Sequence, residues 1–65
     1  MRIFVNGEQH DVAPLTLALA LEELGYGGKK IATALNGRFV AAAARPATAL
    51  ADGDRLEVVA PMQGG

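Results

Sequence analysis

Apolar residues recur at every second position at the start of the chain, which is the period of a β-strand. In Met1–Val5 the odd positions are apolar, while Arg2 and Phe4 point to the opposite side. Asn6–Gly7 follows directly and favours a type I′ turn, because both residues tolerate a positive φ. We therefore predict an antiparallel hairpin in which Glu8–Val12 pairs with the first segment.

The apolar spacing then changes to that of a helix with one buried side. Thr16 offers a hydroxyl as the N-cap, and we predict a helix from Leu17 to about Leu24. Leu19 falls on the opposite, acidic side, and Gly25 suits the left-handed position that ends a helix. The predicted buried stripe consists of Leu17, Ala20, Leu21 and Leu24.

Three further strands are predicted in the second half of the chain. Ile31–Leu35 and Arg38–Val40 flank a second Asn-Gly turn at Asn36–Gly37. After the turn at Asp52–Asp54, Arg55–Ala60 alternates again, with its second and fourth residues facing inward. The chain therefore supplies a second group of strands after the helix.

The segment between the fourth and fifth strands has no clear period. Four alanines are too few to hold a helix by themselves, and Pro46 disfavours the helical conformation at Arg45. We expect irregular chain there, with one helical turn near Ala47–Leu50. The order strand, strand, helix, strand, strand, strand (ββαβββ) predicts an α+β roll, a five-stranded mixed sheet covered on one face by one helix.

Composition excludes most catalytic and binding classes. The 65 residues allow one domain without a deep cleft, and there is no cysteine for a disulfide, a thiolate metal site or a nucleophile. His10 has no second histidine beside it, and six basic against seven acidic residues give no basic face for nucleic acid. No apolar run reaches the ~20 residues of a membrane span. We expect a cytoplasmic protein that is not an enzyme and binds no metal, nucleic acid or membrane.

The C-terminus carries the one candidate for chemistry. Pro61 ends the last strand, so residues 1–61 form the domain and residues 62–65 a flexible tail. Without side chains, the last two glycines let the terminal carboxylate enter a channel too narrow for a Cβ. A partner has to activate this carboxylate, most economically as an acyl-adenylate made with ATP and magnesium, which then accepts a sulfur nucleophile. The predicted modified residue is Gly65, and the tail entering the partner's active site is Gly64, Gln63 and Met62.

The chain resembles the ThiS family, the ubiquitin-like β-grasp sulfur carriers of thiamine biosynthesis. The resemblance covers nearly the whole chain, and it is carried by Met1–Val5, Ala34–Asn36, Gly53–Val59 and Pro61–Gly65. Where family members commonly have Val-Pro-Arg and then an aromatic residue, this chain has four alanines, Arg45 and Pro46. No family role is therefore carried over to Arg45.

The resemblance implies a carrier cycle in which the chain itself binds no cofactor. An E1-like adenylyltransferase of the ThiF type uses ATP and magnesium to adenylate Gly65. Sulfur from a cysteine desulfurase persulfide then gives a thiocarboxylate (1-thioglycine), and a thiazole synthase of the ThiG type takes the sulfur into the thiazole ring.

Three alternatives to this cycle stay open. The first is a carrier of the type of the molybdopterin synthase small subunit, although the length of 65 and the Ala-Pro-Met-Gln-Gly-Gly ending favour the thiamine type. The second is a ubiquitin-like modifier joined through Gly65 to lysines. The third is a binding module with an incidental tail.

Partner docking is predicted on the sheet face opposite the helix. Phe4 and Val59 point outward from the first and last strands, which lie side by side in a β-grasp. Together they would form an apolar patch that leads to the tail. Leu19 is a second docking candidate.

Overall fold

Five strands, one α-helix and one short 3₁₀ helix follow each other in the residues that the structure describes. The computed structural model describes residues 1–13 and 15–60. The elements are β1 (Arg2–Val5), β2 (Glu8–Asp11), α1 (Leu17–Glu23), β3 (Ala32–Leu35), β4 (Arg38–Val40), the 3₁₀ helix (Ala42–Ala47) and β5 (Arg55–Val59). The predicted order of strands and helix is confirmed.

The strands form one mixed sheet in the order β2-β1-β5-β3-β4. β5 lies in the centre, parallel to β1 and antiparallel to β3. Phe4 is opposite Arg55 across the parallel pair, and Leu35 is opposite Leu56 across the antiparallel pair. The first and last strands are therefore neighbours, as the resemblance to the β-grasp family implies.

Both Asn-Gly dipeptides form the predicted type I′ turns. Asn6 and Gly7 have φ angles of 51° and 86°, and Asn36 and Gly37 have φ angles of 51° and 84°. Positive φ at both central residues matches the twist of the two flanking strands. These turns set the register of the two hairpins, β1–β2 and β3–β4.

Helix α1 begins and ends where its capping residues predict. The Thr16 hydroxyl accepts a hydrogen bond from the Leu19 backbone N–H at 3.4 Å. The helix ends at Glu23 with Leu24 as the C-cap, and Gly25 takes a φ of 95°. Helix α1 packs on one face of the sheet, and the core between them is Ile3, Val5, Val12, Leu17, Ala20, Leu21, Leu50, Leu56 and Val58.

The prediction of a helical turn near Ala47–Leu50 is wrong, because the helical segment is the 3₁₀ helix Ala42–Ala47. The Thr48 N–H donates to the Arg45 carbonyl at 3.2 Å and closes a four-residue turn. Pro46 is the second residue of this turn, where the backbone N–H has no partner to bind, so proline is tolerated there. The next residues are extended instead, and the Leu50 N–H donates to the Leu15 carbonyl at 2.8 Å.

Arg45 joins the 3₁₀ helix to strand β3. Its Nη2 donates to the Ile31 carbonyl at 2.7 Å, and its Nε donates to the Thr33 hydroxyl at 3.0 Å. That hydroxyl, which is buried, donates in turn to the Val40 carbonyl at 2.8 Å. Arg45 therefore has a structural role in this chain, holding the alanine-rich segment against the sheet.

Candidate functional site

Strand β5 presents one set of side chains to the helix and another to the opposite face. Leu56 and Val58 are buried beneath α1, whereas Arg55, Glu57 and Val59 are exposed on the other side. We call this second side the outer face. Because residues paired across a sheet point to the same side, Phe4, which pairs with Arg55, also lies on the outer face.

The two residues predicted to dock partners lie on the outer face but not next to each other. Val59 is 63% exposed, and Phe4 is half-buried. Phe4 lies level with Arg55, so Val59 is about 13 Å further along β5 at about 3.3 Å per residue. The exposed side chains of Arg55 and Glu57 separate the two. The outer face therefore has two distinct regions.

The region around Phe4 is a groove over the first half of β5, between the Asn6–Gly7 turn after β1 and the Asn36–Gly37 turn after β3. Its volume is about 810 Å³. Gly7 and Gly37 of the two Asn-Gly turns contribute to its wall. The residues that line the groove are Phe4, Asn6, Gly7, Gly37, Arg55, Leu56 and Glu57.

The region around Val59 is an apolar patch that the sequence analysis did not identify. Phe39 of β4 is 73% exposed and pairs with Ala34, while Val59 pairs with Ala32. These four residues, Ala32, Ala34, Phe39 and Val59, form what we call the Phe39 patch. Glu57 borders it.

A signal for Phe39 was present in the sequence. A two-residue Asn-Gly turn pairs the residues on either side of it, so Leu35 had to pair with Arg38 and Ala34 with Phe39. Phe39 then had to share the outer face with Ala34.

The last strand ends next to the Phe39 patch. β5 ends at Val59, so the chain leaves the sheet at the patch's edge. The predicted modified residue Gly65, the tail residues Gly64, Gln63 and Met62, and the domain boundary at residue 61 all lie outside the described residues.

The opposite side of the molecule presents a smaller apolar surface. Leu19 of α1 is 53% exposed, as predicted, and Leu15 just before the helix is also exposed. This surface lies across the sheet from the outer face.

Charged side chains make few close contacts with one another in the part of the chain that the structure describes. The one contact there between a basic and an acidic side chain is between His10 Nε2 and Glu8 Oε1 at 3.6 Å, on edge strand β2. No three His, Asp or Glu side chains in residues 1–13 and 15–60 come together as a metal site. Nor is any helix within those ranges long and apolar enough to cross a membrane.

A five-stranded mixed sheet with parallel first and last strands and one helix across it defines a ubiquitin-like β-grasp protein. The model of the ThiS family matches residues 3–65. The chain belongs to the ThiS family, and the prediction of a sulfur carrier of thiamine biosynthesis is confirmed.

Two relatives agree with this assignment. The chain is 41% identical over 63 residues to the sulfur carrier protein ThiS of Thermus thermophilus, covering 97% of this chain and 98% of that protein. It is also 36% identical over 66 residues to a thiazole synthase of Paramagnetospirillum magneticum. That match covers 100% of this chain but 20% of the thiazole synthase, so the chain spans about a fifth of that relative.

Solved structures show the same fold. The crystal structure of the thiamine biosynthesis protein ThiS from Geobacter metallireducens matches with a TM-score of 0.82 at 30% identity, covering 100% of both chains. The solution structure of a thiamine biosynthesis protein from the same organism matches with a TM-score of 0.80 at 30% identity, covering 100% of this chain and 88% of that one. The predicted β-grasp roll is therefore confirmed.

Proposed function

We propose that the chain carries sulfur on the α-carboxylate of Gly65. A carboxylate oxygen attacks the α-phosphorus of ATP and pyrophosphate leaves, which gives an acyl-adenylate. The terminal sulfur of a cysteine persulfide then attacks the carbonyl carbon and AMP leaves. A thiol cleaves the resulting acyl disulfide, and the product is a thiocarboxylate whose sulfur is donated to the thiazole ring.

The observation that carries this proposal is the family match, which runs to the last residue and so includes the two terminal glycines. The geometry of the domain supports it, because β5 directs the chain out of the centre of the sheet at Val59. The domain has the role of presenting the tail and a docking face, and its partners supply the ATP site and the magnesium.

The partners follow from this chemistry. Adenylation requires an E1-like adenylyltransferase of the ThiF type, and the persulfide requires a cysteine desulfurase. A thiazole synthase of the ThiG type is the sulfur acceptor. Support for this acceptor comes from the Paramagnetospirillum magneticum protein, in which a segment similar to the whole of this chain is part of a thiazole synthase.

Incubation with a ThiF-type enzyme and ATP-magnesium is the direct test. Intact-protein mass spectrometry is expected to show the added mass of one AMP. Fragmentation of the same ion is expected to place the AMP on the piece that contains Gly65. Adding a persulfide donor and a thiol is then expected to replace one terminal oxygen by sulfur. A chain that is never adenylated contradicts the proposal. A ladder of isopeptide conjugates to lysines indicates a protein modifier instead.

We further propose that the activating enzyme docks on the outer face. Large exposed apolar residues near the centre of a contact supply most of the binding energy in protein interfaces. Phe39 is the largest such residue in the Phe39 patch, and it lies on β4, across β3 from the strand that ends at Val59. Phe4 contributes the apolar wall of the neighbouring groove.

Replacing Phe39 with Asp is expected to weaken binding to the activating enzyme about 30-fold, the equivalent of about 2 kcal/mol for a central aromatic contact. Because Phe39 is exposed, the free energy of unfolding should change by no more than about 0.5 kcal/mol. Leu19→Asp is the matched control, since Leu19 is exposed on the helix side. Isothermal titration calorimetry measures the affinity of both variants for the activating enzyme. Phe4→Asp is measured as a third variant, for the groove. An affinity of Phe39→Asp equal to that of the unmodified chain would remove the Phe39 patch from the interface, whereas a loss in Leu19→Asp alone would place the contact on the helix side.

A further inference from the structure

The side chain of Asn6 forms hydrogen bonds with Val58 near the end of strand β5, 52 residues away in the sequence. Its Oδ1 accepts a hydrogen bond from the Val58 backbone N–H at 2.9 Å. Its Nδ2 donates to the carbonyl of the same residue at 3.1 Å. One amide side chain therefore satisfies both backbone groups of Val58 on the side that faces β1.

This contact replaces backbone pairing that β1 cannot supply. The parallel pairing of β1 with β5 runs through the Phe4 N–H to Asp54 and the Asn6 N–H to Leu56, both at 2.9 Å. At Asn6 and Gly7 the chain turns away into the β1–β2 hairpin. The backbone groups of Val58 on that side would then have no partner from β1, which is costly for strand residues. The primary amide of Asn6 acts in place of one more peptide unit.

We infer that Asn6 is a positioning residue for the tail, an inference that rests on the proposed function of Gly65. By pairing with Val58, it keeps β5 anchored on the β1 side to within one residue of the strand's end at Val59. On the other side, β3 pairs with Val58 and Val59 through Thr33 and Ala32. Strand β5 is thus held on both sides at its last residues, which fixes the direction of the chain at Val59 and Ala60.

Asn36 provides a matched comparison within the same chain. It lies in the other type I′ turn, with the same φ of 51°, and it also holds β5 through its side chain. Its Oδ1 accepts from the Arg55 N–H at 2.9 Å, and its Nδ2 donates to Asp54 Oδ1 at 2.9 Å. These contacts are at the start of β5, away from the tail.

The experiment compares Asn6→Gly with Asn36→Gly. Glycine tolerates the positive φ at both positions, so each variant keeps its turn and loses only the side-chain bonds. Amide hydrogen exchange of Val58 is expected to accelerate about tenfold in Asn6→Gly, and to change little in Asn36→Gly beyond the common loss of stability. Residual dipolar couplings of Val59 and Ala60 should report a changed average direction in the first variant alone.

Adenylation kinetics give the functional readout. With saturating carrier, kcat is expected to fall about five- to tenfold in Asn6→Gly and to stay near the starting value in Asn36→Gly, since misplacing a reacting group lowers the rate after binding. KM should change little in either variant. If Asn6→Gly proves too unstable, Asn6→Asp keeps the acceptor for the Val58 N–H and replaces the donor with a carboxylate oxygen that repels the Val58 carbonyl.

Equal kcat values in the two glycine variants overturn the inference. So does a change confined to KM, because Asn6 lines the groove and would then act by touching the enzyme. If the unmodified chain is not adenylated at all, the proposed function fails. The hydrogen-exchange and dipolar-coupling comparison does not need that activity, so it separates the two failures.

Discussion

Adding one alanine after Gly65 is expected to abolish sulfur carriage and leave the fold unchanged. The addition converts the Gly65 carboxylate into an amide, whose oxygen is a much weaker nucleophile towards ATP. The new terminal carboxylate is displaced by one residue and carries a Cβ next to it. Because a displacement of about 1 Å can cost about 100-fold in rate, a shift of one residue should lower adenylation by at least that factor.

Two further variants separate the possible causes of this loss. An added glycine shifts the carboxylate by the same distance without a Cβ, so it tests position alone. Gln63→Ala keeps the length and the terminus, so any loss of adenylation in this variant reports the side chain of Gln63 and not the position of the carboxylate. Intact-protein mass spectrometry measures the AMP adduct, and calorimetry should show that the extended chain still binds the activating enzyme. Full adenylation of the alanine-extended chain would contradict the Gly65 carboxylate as the reacting group.

Local sequence signals were sufficient for most of the fold. The two Asn-Gly turns, the Thr16 cap and the Gly25 stop each depend on residues a few positions apart. Their physical cause is the conformational preference of the chain itself, which is visible without tertiary contacts. For the same reason the register of β3 with β4, and with it the position of Phe39, was available from Asn36–Gly37.

The features that the sequence did not predict depend on contacts between distant residues. The 3₁₀ helix is held by the bonds from Arg45 to Ile31 and Thr33, which are 14 and 12 residues away. The contact from Asn6 to Val58 spans 52 residues. No period or turn signal encodes such pairs, because each residue alone is compatible with an exposed position. Gly65 differs from these features, because its modification was predicted from its position in the sequence without any structural information.

The separation of Phe4 from Val59 also depends on the register between strands. Alternation along each strand predicts correctly that both side chains face outward. How far apart they lie depends on the alignment of β1 with β5, which pairs Phe4 with Arg55. In a parallel pair no tight turn fixes that alignment, and the buried packing of the inner face sets it instead.

The largest effect on stability is expected for Leu56→Ala. Leu56 is 1% exposed in the central strand, where it packs in the core under α1. Truncating such a leucine costs about 2–5 kcal/mol, since the core of a small domain closes the cavity only in part. The whole chain of 65 residues has a free energy of unfolding of about 3–10 kcal/mol at 0.05–0.15 kcal/mol per residue. A single truncation can therefore remove half of the stability or more.

Val59→Ala is the matched control, because Val59 lies on the same strand with its side chain on the outer face. Its free energy of unfolding should fall by no more than about 0.5–1 kcal/mol. Urea unfolding followed by circular dichroism measures the free energy of unfolding of both variants. The slope of that free energy against urea concentration should stay the same if only stability changes. The sulfur-carrying activity of Leu56→Ala should fall in proportion to the fraction of the chain that is unfolded. Val59→Ala should change the affinity for the partner more than it changes the free energy of unfolding. A loss below about 1 kcal/mol for Leu56→Ala would mean that β5 is not the strand on which the core depends.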